Sequence, residues 1–377
     1  MPSISSLKIR YINLVEQHAA LKSELLEAVA RVIDHGQFVL GEEVQQFEEN
    51  FAKLCGTSFA VAVHSGTDAL ILALRALGIG SGDEVITAPN SFVASTSCIA
   101  LVGARPVFVD VREDGNLDPT QLEAAMTSKT KAILPIHLTG RPSDMNPILE
   151  VARKNRLFVI EDCAQAVTAE YRGQRVGSFG VVGCFSLHPL KTLDACGDGG
   201  VLATNDEAVY KKLKLLRNLG LESRDHCVEW SSHSRLDTIQ AAMLLVKLKY
   251  LNAWTEKRRS NAALYQKALA GIPEVQLPID QPFERAVYHT FVIQADRRDT
   301  LKQFLADNGI ETAIHYPVPI HLQKAAANLG YQEGNFPVVE RQAKRILSLP
   351  VYPELPVEEV ESVASSIKRF YGREGND

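Results

Sequence analysis

The sequence lacks the features that would assign it to a membrane or to a nucleic acid. No apolar run approaches the roughly 20 residues that a transmembrane helix needs, and charges stand in the N-terminal segment where a signal peptide would carry its apolar core. Forty basic residues stand against 45 acidic residues, which leaves a net charge of -5 and no basic stripe. We therefore expect a cytoplasmic protein with neither membrane nor nucleic acid as a partner.

Cysteine is scarce and follows no pattern. The six cysteines, at positions 55, 98, 163, 184, 196 and 227, form no C-x-x-C pair and none of the spacings of a metal finger. Scattered thiols of this kind are typical of buried side chains in a reducing compartment. The sequence therefore predicts no metal site.

Apolar residues are plentiful, at 46% of the chain, and they follow two periodicities. Seven short β-branched runs alternate with segments of helical spacing, and several of the runs are almost wholly apolar, as strands buried on both faces require. This alternation predicts an α/β fold with a mostly parallel sheet flanked by helices. The seven runs lie at 58–65, 83–90, 105–111, 131–137, 157–163, 183–188 and 199–205.

The length favours two domains, because 377 residues exceed what one hydrophobic core usually supports. We expect a large domain over residues 1–250 and a smaller C-terminal α/β domain over residues 251–377. An amphipathic pattern at about 235–269 predicts one long helix that connects them. Because ligands of parallel sheets bind at the carboxyl ends of the strands, we expect the functional site there.

One apolar run, VIEDCAQA, ends in the carboxylate of Asp162. A buried carboxylate needs a positive partner or several donors, because an unpaired buried charge is costly. Two interpretations remain open. Asp162 either caps a helix or faces the protonated nitrogen of a heterocyclic cofactor such as pyridoxal phosphate.

The segment HSGTDAL places Ser65, Gly66 and Thr67 between a predicted strand and a predicted helix. Backbone N–H groups, hydroxyls and the positive end of a helix dipole together suit a phosphate. The segment matches neither a Walker P-loop nor G-x-G-x-x-G, so a monophosphate fits it better than a nucleotide. An ordinary helix cap is the alternative interpretation.

Lys191 lies in CFSLHPLKTLDACGDGG, between an apolar strand and a glycine cluster. A free lysine has a pKa near 10.4 and is a poor nucleophile at neutral pH, a difficulty that an imine with a cofactor overcomes. A lysine considered alone is usually a surface residue. Its coincidence with a strand-end aspartate and a phosphate-type turn favours a covalent role.

Eight segments, in the same order and over nearly the whole chain, resemble the DegT/DnrJ/EryC1/StrS family of pyridoxal-phosphate-dependent sugar aminotransferases. This family has the aspartate-aminotransferase fold, fold type I, with a seven-stranded, mostly parallel sheet. The segments are VLGEEVQQFEENFAKLCG (39–56), VHSGTDALILAL (63–74), ITAPNSFVASTSCIALVGARPVFVDV (86–111), PIHLTGRPSDM (135–145), VIEDCAQA (159–166), GCFSLHPLKTLDACGDGG (183–200), SRLDTIQAAML (234–244) and IHYPVPIHLQ (314–323).

The resemblance implies a set of contacts to pyridoxal 5'-phosphate. Lys191 would form the Schiff base and carry protons, Asp162 would pair with the pyridinium nitrogen, and Gln165 would lie beside the phenolic oxygen. The remaining contacts would come from Phe92, which would stack on the ring, and from Ser186, Gly66 and Thr67, which would hold the phosphate.

The chain departs from the family pattern before the connecting helix. The family usually has Gly-x-Asn-x-Arg there, and its asparagine reaches across a dimer interface to the cofactor phosphate. Here the stretch reads SSHSRLD, with His233 in the asparagine's place. Because a histidine can also donate a hydrogen bond to phosphate, we expect His233 to keep this role; the alternative is a loop or interface residue.

The resemblance further implies an activity and a partner. The chain would move an amino group from L-glutamate to a keto or aldehyde sugar, nucleotide-linked or an acidic higher sugar, in amino-sugar, cell-surface polysaccharide or secondary-metabolite biosynthesis. It would act as a homodimer with shared active sites, and His315, Tyr316 and His321 are candidate sugar contacts.

Two alternatives remain for the function. A sugar dehydratase of the same fold is one, although such relatives place a histidine where Lys191 stands. The other is a non-catalytic regulator that binds pyridoxal phosphate or an aminosugar.

Overall fold

A computed structural model describes residues 8–372. Residues 1–7 and 373–377 lie outside this range. They are the outer ends of the two predicted domains, and residues 1–7 also begin the N-terminal segment in which a signal peptide would stand. The helices are α1 (Leu14–Ala19), α2 (Lys22–His35), α3 (Glu42–Cys55), α4 (Gly66–Ala76), α5 (Ala94–Leu101), α6 (Leu122–Ala125), α7 (Met145–Asn155), α8 (Glu207–Leu216), α9 (Thr238–Leu248), α10 (Leu251–Leu269), α11 (Arg298–Asp307), α12 (Pro337–Ala343) and α13 (Val357–Phe370).

Fifteen strands accompany these helices in the described residues. They are β1 (Phe59–Val63), β2 (Glu84–Thr87), β3 (Arg105–Phe108), β4 (Thr130–Ile133), β5 (Phe158–Asp162), β6 (Glu170–Tyr171), β7 (Gln174–Arg175), β8 (Val182–Ser186), β9 (Gly200–Thr204), β10 (Leu221–Ser223), β11 (His226–Cys227), β12 (Val275–Gln276), β13 (Glu284–Arg285), β14 (Phe291–Ala295) and β15 (Ile346–Leu349).

The main sheet has seven strands in the order β1-β9-β8-β5-β4-β2-β3. Each of the seven apolar runs contributes one of these strands, so the predicted seven-stranded sheet is confirmed. Neighbouring strands from β8 to β3 run parallel, whereas β9 is antiparallel to both β1 and β8. The sheet is therefore mostly parallel, as the alternation of strand and helix predicts.

Both faces of this sheet are covered, and the alternation of side chains along β1 shows how. Val61 and Val63 point into the core that contains α4, α5, α7 and α8. Ala60 and Ala62 point into the opposite core, which contains Phe51 of α3 and residues of α9. Since successive side chains of a strand face opposite sides, a strand covered twice must be apolar throughout.

The predicted connecting helix at 235–269 is wrong as a single element, because the structure divides it into α9 and α10. At the break, the N–H groups of Lys249 and Tyr250 bond to carbonyls three residues back, those of Val246 (3.2 Å) and Lys247 (3.0 Å). The two helices then pack on different partners, α9 on α2 and α3, and α10 on α13. A break of one turn leaves the helical spacing of the apolar residues intact, so this spacing does not reveal the break.

A second core lies between α10, α11, α13 and the antiparallel sheet β12-β14-β15. Ile9 from the N-terminal segment joins this core, whereas Ile320, Phe336 and Val339 return to the core of the large sheet. The chain thus crosses the expected boundary in both directions. The division at residue 250 remains a prediction.

Within residues 8–372, no helix combines the length and the apolar character that crossing a membrane requires.

Candidate active site

A cavity of about 410 Å³ lies at the carboxyl ends of β5 and β8, beside the first turn of α4. This is the edge at which parallel sheets bind their ligands. Nine of the eleven residues predicted for the site line this cavity: Gly66, Thr67, Phe92, Asp162, Gln165, Ser186, Lys191, His315 and Tyr316.

Asp162 ends β5, and its carboxylate is held by neighbouring donors. Ser95 donates from Oγ to Oδ2 at 2.6 Å, and the backbone N–H of Ala164 donates to Oδ1 at 3.0 Å. Ser91 donates in turn to Ser95 Oγ at 2.7 Å. Asp162 is 4% exposed but still lines the cavity. The two serine hydroxyls hold its carboxylate in one orientation. Sequence reasoning missed Ser95, since nothing distinguishes it among the serines and threonines of its helix.

The start of α4 and the end of β8 form a close-packed cradle. Ser65 caps α4 by accepting from the N–H of Asp68 at 3.1 Å, which leaves the first N–H groups of the helix at the cavity. A Cβ at Gly66 would lie 2.6 Å from Cβ of Ser186, and a Cβ at Gly200 would collide with the Ser65 carbonyl. The glycines therefore let the helix start approach the strand end, where donors converge as an oxyanion group requires.

Lys191 lies in the turn after β8 and contributes its side chain to the same cavity. Among the described residues no acceptor forms a hydrogen bond with its Nζ. Burial lowers the pKa of Lys191 to about 8, although the nearby charge of Asp162 opposes this shift. A much larger fraction of this lysine is therefore neutral near pH 7 than of an exposed lysine, as a nucleophile or proton acceptor needs.

Aromatic and polar side chains form the remaining wall. Phe92 is 53% exposed, and its ring centroid lies 5.8 Å from that of Tyr316. Gln165 accepts a hydrogen bond from the N–H of Thr139 at 2.6 Å and also interacts with the hydroxyl of Tyr316. Burial raises the pKa of this hydroxyl to about 12. Burial and the charge of Lys191 lower the pKa of His315 to about 4, so its ring is neutral at physiological pH.

Two predicted site residues lie elsewhere. His321 is buried outside the cavity, where its Nε2 pairs with Glu340 at 3.0 Å and its ring packs on Phe336. The structure thus gives His321 a packing position outside this cavity, and its predicted contact with the sugar remains a prediction. His233 is exposed and bridges to Asn218, away from this chain's cavity; the role proposed for it needs a second subunit and remains a prediction.

A group of metal-ligand type lies just behind the site, formed by His137, Glu161 and Cys163. Glu161 accepts three backbone N–H groups at 2.8 Å, from residues 177, 179 and 180. His137 accepts from the N–H of Ser143 at 2.9 Å, so its Nε2 carries the proton directed at Glu161, 3.1 Å away. The carboxylate and both ring nitrogens already have partners, and the arrangement fits packing rather than metal binding.

A larger cavity of about 530 Å³ adjoins the first and shares with it Thr290, His315 and Tyr316. Its other walls include the segment after β3, the segment from the end of α10 to residue 281, β14 and α12.

Two further side chains of the first cavity, Arg258 and His289, were not predicted for the site. Arg258 stands in an amphipathic helix next to a second arginine, and His289 lies just before a strand. No local pattern separates either of them from surface residues.

Comparison with known proteins connects this geometry to a family. Residues 19–368 match the DegT/DnrJ/EryC1/StrS aminotransferase family. A curated relative from Acidithiobacillus ferrooxidans, UDP-N-acetyl-3-dehydro-alpha-D-glucosamine 3-aminotransferase, is 43% identical over 362 residues, which cover 96% of this chain and 97% of that protein.

Two solved structures extend the comparison. The structure of S. venezuelae DesV is 41% identical and superposes with a TM-score of 0.95, covering 97% of this chain and 99% of that one. NtdA from Bacillus subtilis, solved with bound cofactor PMP, is 31% identical with a TM-score of 0.87, covering 93% of this chain and 82% of that one.

Proposed function

Because the chain belongs to the DegT/DnrJ/EryC1/StrS aminotransferase family and is thus a pyridoxal-phosphate-dependent enzyme, we propose that it transfers an amino group from L-glutamate to the keto group of a nucleotide-linked sugar. The observation that supports this most directly is the convergence of Lys191, Asp162 and the α4 cradle on one cavity.

The residues present fit the cofactor. The glycine at position 66 keeps open a cradle that a Cβ would fill. Lys191 lines the same cavity; its pKa is lowered, and its Nζ has no hydrogen-bond acceptor among residues 8–372. When bound, pyridoxal phosphate supplies an electron sink for the carbon that carries the transferred amine. Lys191, Asp162 and the α4 cradle would supply attachment, orientation and proton transfer.

We assign each of these tasks to named side chains. Lys191 would hold the cofactor and then, once free, accept and return the proton of the donor's α-carbon, since a pKa of about 8 suits a general base near neutral pH. Asp162, fixed by Ser95, would offer a negative acceptor to the ring nitrogen. Ser186 and the N–H groups at Gly66 and Thr67 would hold the phosphate.

The walls of the cavity would bind and shield the substrate. Phe92 and Tyr316 would cover the reacting groups and exclude water, and Gln165 would orient a ring hydroxyl. We place the sugar nucleotide in the adjoining cavity of about 530 Å³, because His315 and Tyr316 line both spaces. The relative from A. ferrooxidans, named for a UDP-linked keto sugar, supports an acceptor of this class.

The amino-donor half of this proposal is tested by absorbance. Purified protein with pyridoxal phosphate should show an imine band that L-glutamate converts into a pyridoxamine-type band. Lys191→Ala should show neither change, whereas Lys211→Ala, an exposed lysine paired with Glu207, should behave like wild type. An imine that glutamate leaves unchanged would show that the donor or the reaction class is wrong.

The acceptor half separates the remaining alternatives. Incubation of the amine-loaded enzyme with UDP- and dTDP-linked keto sugars should yield an amino sugar, detected by mass spectrometry, and return the cofactor band. A product that has lost water without gaining an amine would indicate a dehydratase. Tight binding without turnover of any keto sugar would indicate a regulator.

We also propose that two copies form the working enzyme in the cytoplasm. Phe92 and Leu190, 53% and 44% exposed, both lie at the cavity and would be covered by a second copy, which would bring its His233 to the phosphate. Light scattering should give twice the mass of one chain. His233→Ala should weaken cofactor binding between pH 6 and 8, and unchanged affinity over that range would remove this role.

A further inference from the structure

Arg258 of α10 is a buried cation on the cavity wall, and none of the described residues forms an ion pair with it. It is 4% exposed. Within residues 8–372 its guanidinium makes one hydrogen bond, from Nη1 to the carbonyl of His289 at 3.3 Å, and its Nε has no partner. None of the described carboxylates forms an ion pair with it.

A buried guanidinium without an ion pair is expected to bind an anion. A guanidinium keeps its proton in proteins, so burial cannot neutralise it, and a buried charge is costly unless it is paired. Glu354 is the carboxylate with the largest influence on Arg258, but the two do not form a direct ion pair. The charge of Arg258 is therefore left for a ligand of the cavity.

The neighbours of Arg258 offer further polar atoms without partners. Nδ1 of His289 and Oγ1 of Thr290 are buried and have no hydrogen-bond partner in the described part of the chain, and both residues line the same cavity. The pKa of His289 lies well below its usual range, mainly because of burial and then because of the charges of Lys191 and Arg258. The ring of His289 is therefore neutral, and both cations lie near it. An oxyanion placed here would meet a cation and neutral groups able to donate hydrogen bonds.

We propose that Arg258, with His289 and Thr290, forms a subsite for a carboxylate of the amino donor. This inference rests on the proposed function. The donor's α-carboxylate is attached to the carbon that bears the transferred amine, so its receptor must lie in the cavity that contains Lys191. The phosphates of a sugar nucleotide lie farther from the reacting carbon, and a planar guanidinium fork matches a carboxylate in a way that a lysine does not.

The test measures carboxylate binding apart from turnover. Calorimetry on the holoenzyme with glutarate, an unreactive dicarboxylate, should give a dissociation constant raised about 10- to 100-fold in Arg258→Gln, as expected for lost hydrogen bonds between charged groups. Arg258→Lys, which keeps the charge without the fork, should show a smaller loss and serves if the glutamine variant fails to fold. Arg259→Gln, the next residue on α10, is the matched control and should bind glutarate like wild type.

Kinetics then identify the substrate that uses the subsite. In Arg258→Gln the glutamate concentration at half-saturation should rise by a similar factor, while that for the keto sugar stays unchanged. Unchanged glutarate affinity in both Arg258 variants would overturn the inference, and so would a loss confined to the sugar acceptor. Wild-type enzyme that binds glutarate through Arg258 but never converts glutamate would refute the proposed function and leave the carboxylate subsite standing.

Discussion

The lowered pKa of Lys191 leads to a prediction with a defined sign. Two opposing effects act on this amine: burial lowers its pKa, and the charge of Asp162 raises it, with a net result of about 8. Removing that charge leaves burial unopposed. Asp162→Asn, which removes this carboxylate from the cavity, should therefore lower the pKa of Lys191 further.

The size of the wild-type effect follows from the two pKa values. At pH 7 an amine with a pKa of about 8 is neutral in roughly one molecule in ten, whereas the ordinary value of 10.5 gives roughly three in ten thousand. The cavity thus raises the reactive fraction of Lys191 by roughly 300-fold at this pH.

The assay follows the amine without the cofactor ring. Cofactor-free protein is treated with isotope-labelled formaldehyde and a borane between pH 6 and 10, and the methylation rate at Lys191 is read by peptide mass spectrometry. Wild type should give a midpoint near pH 8, and Asp162→Asn a lower one. Asp198→Asn, which removes an exposed carboxylate at the same cavity, should leave the midpoint in place.

Three results would refute this reasoning. A wild-type midpoint near 10.5 would mean that burial does not act on the Lys191 amine as the structure indicates. A midpoint that rises in Asp162→Asn would reverse the sign of the electrostatic effect. Equal shifts in the two aspartate variants would show that any nearby carboxylate acts alike and that Asp162 has no special position.

Two more predictions concern neighbouring groups. Ser95→Ala removes the donor to Asp162 Oδ2 and should weaken retention of pyridoxal phosphate about 10-fold or more in equilibrium dialysis. An equal loss in Ser97→Ala, which removes a hydroxyl that donates to the backbone carbonyl of Ala94, would contradict this. Cys196 is exposed, and a hydrogen bond with His18 is the main cause that lowers its thiol pKa, so iodoacetamide should modify it well before the four buried cysteines at pH 7. In His18→Gln the modification rate of Cys196 should fall while that of Cys227, which is also exposed, stays the same, and an unchanged Cys196 rate in mass spectrometry would contradict the pairing.

Local patterns account for most of the architecture and for the centre of the site. The seven apolar runs became the seven strands because burial on two faces leaves a strand no freedom to be polar. Asp162, Ser186 and Lys191 could be predicted to meet, because strand ends of a parallel sheet share one edge whatever the details of packing. The order of residues along the chain is sufficient to predict the strands and the position of these three residues.

Other features depended on contacts between distant segments. The break between α9 and α10 follows from their different partners, α2 and α3 on one side and α13 on the other. His321 has the sequence surroundings of a substrate ligand, yet its ring lies buried against Glu340 and Phe336. In both cases the local sequence is compatible with either outcome.

The sequence by itself thus determined the layered fold, its mostly parallel sheet and the lysine, aspartate and helix start at the strand ends. Only the tertiary structure decided that Arg258 and His289 complete the cavity and that Ser95 holds Asp162. The physical reason is that a side chain's charge and hydrogen bonds acquire their function from the groups around it. Those groups come from helices and strands far apart in the chain, and their meeting is fixed by packing rather than by any local pattern.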